Sequence, residues 1–310
     1  MRLVAGIIIT AFVVMFAAYA FNVYNEGSQW ASGAYNARTR SSSLRRGDIY
    51  DTNGITLATT DDDGNRVYLK NELARRALSQ VVGDTRGMAG ASIECYKSAV
   101  LMDVSTSLTG RINELVTGKK HTGSNITLTI DAKLQTYISS VFPEGFRGCV
   151  CLMNYKTGEI LVMVSKPDYD PLVINGDIGK VSELEDGALM NFCLQGQFQP
   201  GSTFKIITLA SVLEYMPSAV SGTYVCDGVW TYETGKVNCL NDTRHGSVSL
   251  KSAFAKSCNI TYGSLAYALG SANLVTTAED FGFNEDFSFG DFMLYPSVIP
   301  KDISTMNELI

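Results

Sequence analysis

The sequence predicts a mixed α/β (α+β) domain that follows a smaller β-rich region and an apolar N-terminal helix. The run from Leu3 to Phe21 contains no charged residue. Two short strand-like runs flank Asn53-Gly54, a dipeptide typical of tight hairpin turns. Further along, NITLTID alternates apolar and polar residues as a half-buried strand does, and the helical pattern AKLQTYISSVF follows it. Strand and helix patterns continue beyond this point, as a layered domain requires.

Composition places the chain among globular proteins and narrows the classes of function. Of its 310 residues, 45% are apolar and 18% are charged, a balance that does not fit a disordered chain. The net charge is −6 and no basic stripe occurs, so nucleic acid is not expected as a partner. Because the sequence has two histidines, neither a His-based catalytic triad nor a site with several histidine ligands is expected.

The apolar run at the N-terminus predicts a transmembrane anchor over residues 1–22. It is longer than a usual signal-peptide core and suits one bilayer crossing. A cleaved signal peptide is the alternative, because Ala18-Tyr19-Ala20 resembles a cleavage site. A short tail before the run and a long domain after it favour a single-pass protein of the cell membrane, with the bulk of the chain outside the cytoplasm. The arginines that follow the run do not favour this orientation.

The rest of the chain divides by composition into a linker and two domains. Residues 23–45 are polar and lack a clear period, which predicts a juxtamembrane linker. Residues 46–122 form a smaller N-terminal domain, in which Asn71 is placed to cap a helix. Residues 123–310 form the larger mixed domain, and Asp131 is placed to cap its first helix.

The strongest chemical signal is the segment QPGSTFKIITLASVLEY. The residues from Ser202 onward predict a helix that is apolar nearly all round, and therefore central to the domain. Ser202 then lies at the helix N-terminus, where free N–H groups favour developing negative charge. Lys205 lies three residues further on, and an apolar setting should lower its pKa. The pair suits a serine nucleophile with a lysine base, whereas the alternative is a buried helix whose lysine reaches solvent.

A second polar motif, Ser257-Cys258-Asn259, precedes another apolar helix. A second hydroxyl beside the nucleophile can relay a proton, and a carboxamide can hold both the lysine and a substrate amide. The S-x-N pattern carries little information alone, but its position after S-x-x-K makes it specific. The sequence therefore predicts four catalytic residues: Ser202, Lys205, Ser257 and Asn259.

With these motifs, the chain resembles a class B penicillin-binding protein, a single-pass D,D-transpeptidase that cross-links peptidoglycan. Four segments are similar to segments of that family: RRGDIYDTNGITLA, VVGDTRG, LTIDAKLQ and MNYKTGEILVMVSKPDYDP. QPGSTFK and SCN are similar to its first two catalytic motifs. The resemblance implies a penicillin-binding-protein/β-lactamase-like transpeptidase fold, preceded by a pedestal-like N-terminal domain.

The resemblance also implies a mechanism and its partners. Ser202 would attack the penultimate residue of a D-Ala-D-Ala stem peptide, release D-Ala and form an acyl-enzyme that an amine of a neighbouring stem peptide resolves. Lys205 would be the base, Ser257 the proton relay and Asn259 the positioning group. β-Lactam antibiotics would acylate Ser202 as substrate analogues. A membrane glycosyltransferase of the elongation or division machinery is an implied partner, and catalysis needs no cofactor.

The family's third motif, K-T-G, follows S-x-N in the chain, and nothing after Asn259 spells K-T-G or K-S-G. Lys156-Thr157-Gly158 precedes the nucleophile, and we interpret it as a hairpin turn with Gly158 at positive φ. We therefore expect an incomplete, C-terminally truncated enzyme whose activity is low or absent. The alternatives are an inactive binding or scaffold protein on this fold, and a β-lactam sensor or β-lactamase relative. The large N-terminal region argues against the second alternative.

Four residues between and within these motifs form a candidate metal site with the spacing C-x12-C-x5-H-x12-C: Cys226, Cys239, His245 and Cys258. Three cysteines and a histidine suit tetrahedral zinc, although the usual close C-x2-C pair is missing. Some elongation-type class B proteins hold zinc near this place, so the resemblance favours a structural zinc. A Cys226–Cys239 disulfide and unlinked thiols stay open as alternatives. The other cysteines are interpreted as small buried apolar residues: Cys95, Cys149, Cys151 and Cys193.

Overall fold

The computed structural model describes residues 9–21, 45–102, 122–232, 235–289 and 292–301. The chain forms two compact units. The first comprises the chain up to Gly196 together with Phe289–Met293, and the second comprises Gln197–Ser288 and the chain from Leu294 onward. The predicted domain boundary near residue 122 lies inside the first unit and stays a prediction.

The predicted anchor is described only in its central part. Residues 9–21 form a helix, α1, whose side chains are exposed. In the part of the chain that the structure describes, no helix combines the length and the apolar character needed to span a bilayer. Residues 1–8 and 22 of the predicted anchor, and the predicted linker up to its last residue, lie outside the described residues.

The first unit contains a four-stranded sheet in the order β3-β2-β1-β4. Its strands are β1 Ile49–Tyr50, β2 Thr56–Thr60, β3 Arg66–Tyr68 and β4 Ile126–Thr127. The predicted turn joins β1 to β2, and Gly54 adopts φ 79° there, a value that glycine tolerates best. β4 pairs in parallel with β1, so the strand predicted to open the larger domain extends the sheet of the first hairpin.

Short helices accompany this sheet: α2 Glu72–Ala77, α3 Ser79–Val82, α4 Ile93–Tyr96, α5 Ser98–Leu101 and α6 Ala132–Ser140. Residues of α3 to α6 share a core with the sheet, and α2 packs on α6. Asn71 and Asp131 cap α2 and α6 as predicted, because each side chain accepts hydrogen bonds from first-turn N–H groups. The spacing of Leu73, Ala77, Leu78 and Val81 predicts one buried helical stripe, but Leu73 is 45% exposed. The stripe assumed one continuous helix, whereas α2 ends at Ala77 and α3 begins anew.

An antiparallel hairpin follows, formed by β5 Gly148–Met153 and β6 Ile160–Lys166. The Lys156-Thr157-Gly158 segment turns the chain between them. Gly158 has φ 77° and its N–H donates to Asn154 O at 2.8 Å, so the interpretation as a hairpin turn is confirmed. α6 packs on β6, and the described part of this unit also contains α7 Pro171–Gly176, a 3-10 helix over Ile178–Glu183 and α8 Phe192–Gln195.

The second unit is built around two helices that pack against each other, α9 Lys205–Tyr215 and α11 Asn259–Asp280. Around them lie the shorter α10 Leu250–Ala255 and two antiparallel pairs of strands. β7 Thr223–Cys226 pairs with β10 Gly246–Ser249, and β8 Val229–Tyr232 pairs with β9 Gly235–Asn238. Two short strands, β11 Ser288–Phe289 and β12 Phe292–Met293, come after α11 in the chain.

The helix that follows Ser202 differs from its prediction in two ways. A short 3-10 helix, Gly201–Phe204, precedes α9, so the α-helix begins at Lys205 and not at the serine. Burial on several sides was also wrong, because Ile206 and Leu213 are 51% and 52% exposed. α9 packs on α11 along one face, and the residues on that face are the buried ones.

Candidate active site

Ser202 and Lys205 meet at the entry to α9. Gly201 adopts φ 54° and starts the 3-10 turn that carries Ser202. Three residues further on, the Lys205 side chain returns along the same face, and its Nζ lies 3.0 Å from Ser202 Oγ. The structure thus brings together the two residues of the predicted S-x-x-K pair.

Ser257 and Asn259 complete the cluster from the other motif. Ser257 Oγ lies 2.9 Å from Ser202 Oγ and 3.3 Å from Lys205 Nζ. Lys205 Nζ also donates to Asn259 Oδ1 at 2.7 Å. All four predicted side chains therefore lie within one hydrogen-bonded group, in which the ammonium contacts both hydroxyls and the amide.

A strained backbone presents the Ser257 hydroxyl. Ser257 adopts φ 52°, a left-handed conformation that is uncommon for residues other than glycine. Its N–H still donates to Phe254 O, and the next N–H, of Cys258, donates to Ala253 O, both at 2.9 Å. These two hydrogen bonds to the end of α10 hold Ser257 in its strained conformation, as the surrounding structure must where strain persists.

Asn238, which the sequence reasoning missed, fixes the amide of Asn259. Asn259 Nδ2 donates to the backbone oxygen of Asn238 at 2.8 Å. This bond identifies the NH₂ end of the amide, so the Oδ1 end faces Lys205. No local pattern could reveal the contact, because Asn238 ends β9 and contributes through its backbone, not its side chain.

Burial lowers the pKa of Lys205 from its ordinary value of 10.5, while the nearby Cys239 and Cys258 thiols act in the opposite direction. Desolvation disfavours the charged ammonium, so the neutral amine is easier to reach than in water. A neutral Lys205 amine 3.0 Å from Ser202 Oγ can accept the serine proton. The expected direction of this pKa shift is confirmed.

A cleft of about 500 Å³ opens beside these residues. Ser202, Lys205 and Asn259 line it, together with Tyr232 and Lys236 of the β8–β9 hairpin. Its size suits a ligand of small-molecule or short-peptide dimensions. Tyr232 and Lys236 were not among the predicted residues, because nothing in the sequence shows that this hairpin borders the site.

The four candidate metal ligands also lie together, in the same unit. Their donor atoms are all within 4.8 Å of one another. Cys226 ends β7, Cys239 follows β9, His245 precedes β10 and Cys258 caps α11. The three cysteines are buried and the histidine is partly buried, so the set is largely closed to solvent.

Four of the six distances among these atoms are close to those of a tetrahedral zinc site. Zinc–sulfur bonds of about 2.3 Å and zinc–nitrogen bonds of about 2.0 Å imply edges of about 3.8 Å between sulfurs and about 3.5 Å between sulfur and nitrogen. The Cys226–Cys239 and Cys239–Cys258 sulfurs are 3.6 and 3.8 Å apart. His245 Nδ1 lies 3.3 and 3.6 Å from the sulfurs of Cys226 and Cys239. All seven cysteines are free, and 3.6 Å exceeds a disulfide bond length.

Backbone geometry holds the loop that carries two of these ligands. Gly228 adopts φ 91°, and a Cβ at this position would lie 2.3 Å from the Asp242 oxygen. The Gly228 oxygen accepts from the N–H of Cys239 at 3.0 Å. Only glycine permits both the conformation and the close approach, so Gly228 positions the Cys239–His245 loop.

The prediction for the other four cysteines was wrong. Cys151 is exposed, and the remaining three are only partly buried: Cys95, Cys149 and Cys193. Two of the four lie on β5, whose last three residues are exposed, and the helix above them, α8, has only four residues. Such a short helix covers little of the strand, so these thiols stay accessible.

Known proteins resemble the chain in sequence. Residues 148–301 match the family model of the penicillin-binding protein transpeptidase domain. The peptidoglycan D,D-transpeptidase PbpA of Mycolicibacterium smegmatis is 30% identical over 263 residues, which are 78% of this chain and 53% of that protein. The peptidoglycan D,D-transpeptidase MrdA of Escherichia coli is 27% identical over 245 residues, 74% of this chain and 37% of that protein.

The fold agrees with a solved structure as well. The ceftriaxone acyl-enzyme complex of penicillin-binding protein A from M. tuberculosis superposes with a TM-score of 0.74 at 23% identity, over 87% of this chain and 64% of that one. The chain spans about half the length of the M. smegmatis relative. The mixed α/β transpeptidase fold predicted from the sequence is confirmed, and the chain belongs to the penicillin-binding protein transpeptidase family, as its resemblance to class B members predicted.

Proposed function

We propose that the chain is a serine-type peptidoglycan D,D-transpeptidase that forms an acyl-enzyme at Ser202. One observation carries the proposal: Lys205 Nζ contacts the hydroxyls of Ser202 and Ser257 and the amide of Asn259 at 2.7 to 3.3 Å. A nucleophile, a base with lowered pKa and a second hydroxyl are the groups that acyl transfer requires. The names of the relatives support the substrate class, D-Ala-D-Ala stem peptides.

The geometry supports a distinct role for each side chain in the first half-reaction. The neutral Lys205 amine accepts the Ser202 proton while Ser202 Oγ attacks the carbonyl carbon of the penultimate D-Ala. Ser257 Oγ, 2.9 Å from Ser202 Oγ, then relays a proton to the departing D-Ala nitrogen. Asn259 holds the Lys205 amine in place and offers its amide to the substrate backbone.

In the second half-reaction an amine of a neighbouring stem peptide attacks the Ser202 ester. The same groups act in reverse, since Lys205 and Ser257 now remove a proton from the attacking amine and return one to Ser202 Oγ. The cleft beside Ser202, lined by Tyr232 and Lys236, is where the acceptor and donor strands would meet. β-Lactams enter the first half-reaction as analogues of D-Ala-D-Ala.

Labelling with a fluorescent penicillin tests the proposal. We expect a stable one-to-one adduct that the Ser202→Ala variant loses and the Ser221→Ala variant keeps, because Ser221 is an exposed serine outside the cluster. Rapid turnover of the β-lactam would identify a β-lactamase relative instead. Binding without a covalent adduct would favour the scaffold alternative, and the labelled fraction tests the expectation that this chain has low activity.

We further propose a location at the cell membrane, with the site outside the cytoplasm. The uncharged run from Leu3 to Phe21 and the helix described over 9–21 support an anchor there. A membrane glycosyltransferase is the proposed protein partner. Recovery of the chain in the membrane fraction, resistant to alkaline carbonate, would support the anchor, and release into the soluble fraction would contradict it.

A structural zinc is the last part of the proposal. Cys226, Cys239, Cys258 and His245 would hold the ion, which would supply cross-links between β7, β9, β10 and α11 and leave no position open for substrate. Elemental analysis of the purified protein should find about one zinc per chain. Cys239→Ser should lose it, whereas Cys95→Ser should retain it. Wild-type protein without zinc after purification in metal-replete buffer would refute this assignment.

A further inference from the structure

A second group of cysteines lies on one face of the β5–β6 hairpin in the first unit. Cys149 and Cys151 are two residues apart on β5, so their side chains point to the same face. Their partners across the hairpin are Ser165 and Met163, which therefore share that face. The metal-ligand set of the second unit does not include these residues.

α8 is fixed onto this face by two contacts. Asn191 Nδ2 donates to Met163 Sδ at 3.2 Å, and the N–H of Phe192 donates to Ser165 Oγ at 2.9 Å. Asn191 also caps α8 by accepting from the N–H of Cys193 at 3.1 Å. These bonds set the height and rotation of α8 above the strands, and with them the position of the Cys193 side chain.

Cys193 lies between the two β5 cysteines. Its Sγ is 3.8 Å from the backbone oxygens of Val150 and Val164, which are directly paired across the hairpin. Val150 separates Cys149 from Cys151 in the strand. The Cys193 thiol is accordingly close enough to the thiols of both neighbours for them to act on its pKa.

The three thiols differ in their access to solvent. Cys151 is exposed, while Cys149 and Cys193 are partly buried. The hydrogen bond from Cys193 lowers the pKa of Cys151 to about 7, although burial acts against it. The hydrogen bond to Cys151 and burial raise the pKa of Cys193. An exposed thiol with a pKa near ambient pH is the one that reacts fastest with disulfides, and a protonated neighbour in contact can resolve the product.

We propose that Cys151 and Cys193 form a thiol–disulfide exchange site that locks α8 to β5. In the first step the Cys151 thiolate attacks a disulfide, RSSR, of a small thiol or of a thiol oxidoreductase. A bond forms between Cys151 Sγ and one sulfur of RSSR, and RS⁻ leaves.

In the second step Cys193 releases its proton to solvent and attacks Cys151 Sγ, which expels the second RS⁻ and forms the Cys151–Cys193 disulfide. Two protein thiols are oxidised and one RSSR is reduced to two thiols, so atoms and electrons balance. The bond would connect a four-residue helix to a strand 42 positions earlier in the chain (193 minus 151). A cross-link over a loop of this length restricts the unfolded chain and stabilises the fold.

Oxidised glutathione is the probe for the bond itself. After incubation of the purified protein, alkylation and digestion, we expect a cross-linked peptide containing Cys151 and Cys193, which dithiothreitol removes. Cys151→Ser should abolish it, and Cys149→Ser, the matched variant two residues away on the same face, should keep it. A Cys149–Cys193 cross-link, or glutathione adducts on Cys151 without an internal bond, would overturn the proposal.

Two further measurements do not depend on any variant that could misfold. Reaction of the wild-type protein with Ellman's reagent, mapped by mass spectrometry, should modify Cys151 first, with a rate that rises through an apparent pKa near 7. The oxidised protein should also unfold at a higher temperature, by roughly 5 °C, and should return to the original value on reduction. Slow reaction at Cys151, or no difference between oxidised and reduced protein, would contradict an exchange site.

Discussion

Two clusters in the second unit share the tripeptide Ser257-Cys258-Asn259 but use it in opposite ways. Ser257 and Asn259 face the hydroxyl of Ser202 and the ammonium of Lys205 in the proposed catalytic cluster, beside an open cleft. Cys258 points the other way, into a buried set of sulfur and imidazole donors. One cluster borders a cleft that is open to solvent, and the other is largely buried where strands and a helix meet.

The buried cluster helps to fix the position of the strained residue Ser257 in the open one. Ser257 sits at φ 52°, and the residue after it is anchored on two sides, by its N–H on Ala253 and by its sulfur near Cys239. Asn259 is anchored through Asn238, the residue before that same cysteine. The closed cluster therefore holds in place the residues that carry Ser257 and Asn259 of the open cluster.

Substitution at Lys205 should have the largest effect on acylation and should disrupt only the open cluster. Lys205→Met keeps the length and apolar stem of the side chain but removes the base, so the acylation rate by penicillin should fall by about 10² to 10⁴-fold. Zinc content and unfolding temperature should stay close to wild type. A loss of zinc in this variant would show that the open cluster cannot be disrupted without disrupting the closed one.

Substitution at Cys239 should break the closed cluster and weaken the open one through the shared tripeptide. Cys239→Ser should lose the metal and unfold roughly 5–10 °C below wild type. Acylation at Ser202 should slow as well, because Asn238 and Cys258 no longer hold Asn259. Cys95→Ser is the control, and unchanged acylation in metal-free Cys239→Ser protein would contradict the supporting role.

The pH dependence of acylation should report on Lys205 alone. Burial lowers the pKa of Lys205 from 10.5. In the proposed mechanism the neutral amine is the active form. The acylation rate should therefore rise with pH, by about tenfold per unit below that pKa, and level off before pH 10.5. In Lys205→Met the acylation rate should no longer rise with pH. A rise that persists in the variant would mean that another group titrates.

Substitution of two glycines should give the smallest effect and tests how Gly228 positions the Cys239–His245 loop. Gly228 and Gly246 both have positive φ, but an added Cβ would collide with Asp242 only at Gly228. Gly246→Ala should lose about 1 kcal/mol of folding stability, and Gly228→Ala several times more together with weaker zinc binding. Equal losses, followed by thermal unfolding, would mean that the close approach does not position the loop.

Local signals explain what the sequence could predict. The spacing of Ser202 and Lys205 suffices to place both on one face. Asn71 and Asp131 predict the starts of the helices that they cap. The turn at Gly158 likewise depends on neighbours in the chain.

What the sequence could not predict depends on distant packing. The contact between Asn238 and Asn259 joins residues 21 positions apart through a backbone oxygen, which no residue pattern encodes. The exposure of Ile206 depends on α9 having one packed face, and that of Cys151 on the shortness of α8. Residue type alone indicated burial in both cases.

The central claim is that Ser202 is the nucleophile, and the mass of the acylated peptide tests it most directly. After brief reaction of the purified protein with benzylpenicillin, intact mass should increase by one penicilloyl group, and digestion should locate that group on the peptide that contains Ser202 and Lys205. Ser202→Ala should show no increase while its zinc content and its unfolding temperature equal those of the wild type. An adduct on any other residue, or one that persists in Ser202→Ala, would contradict the account.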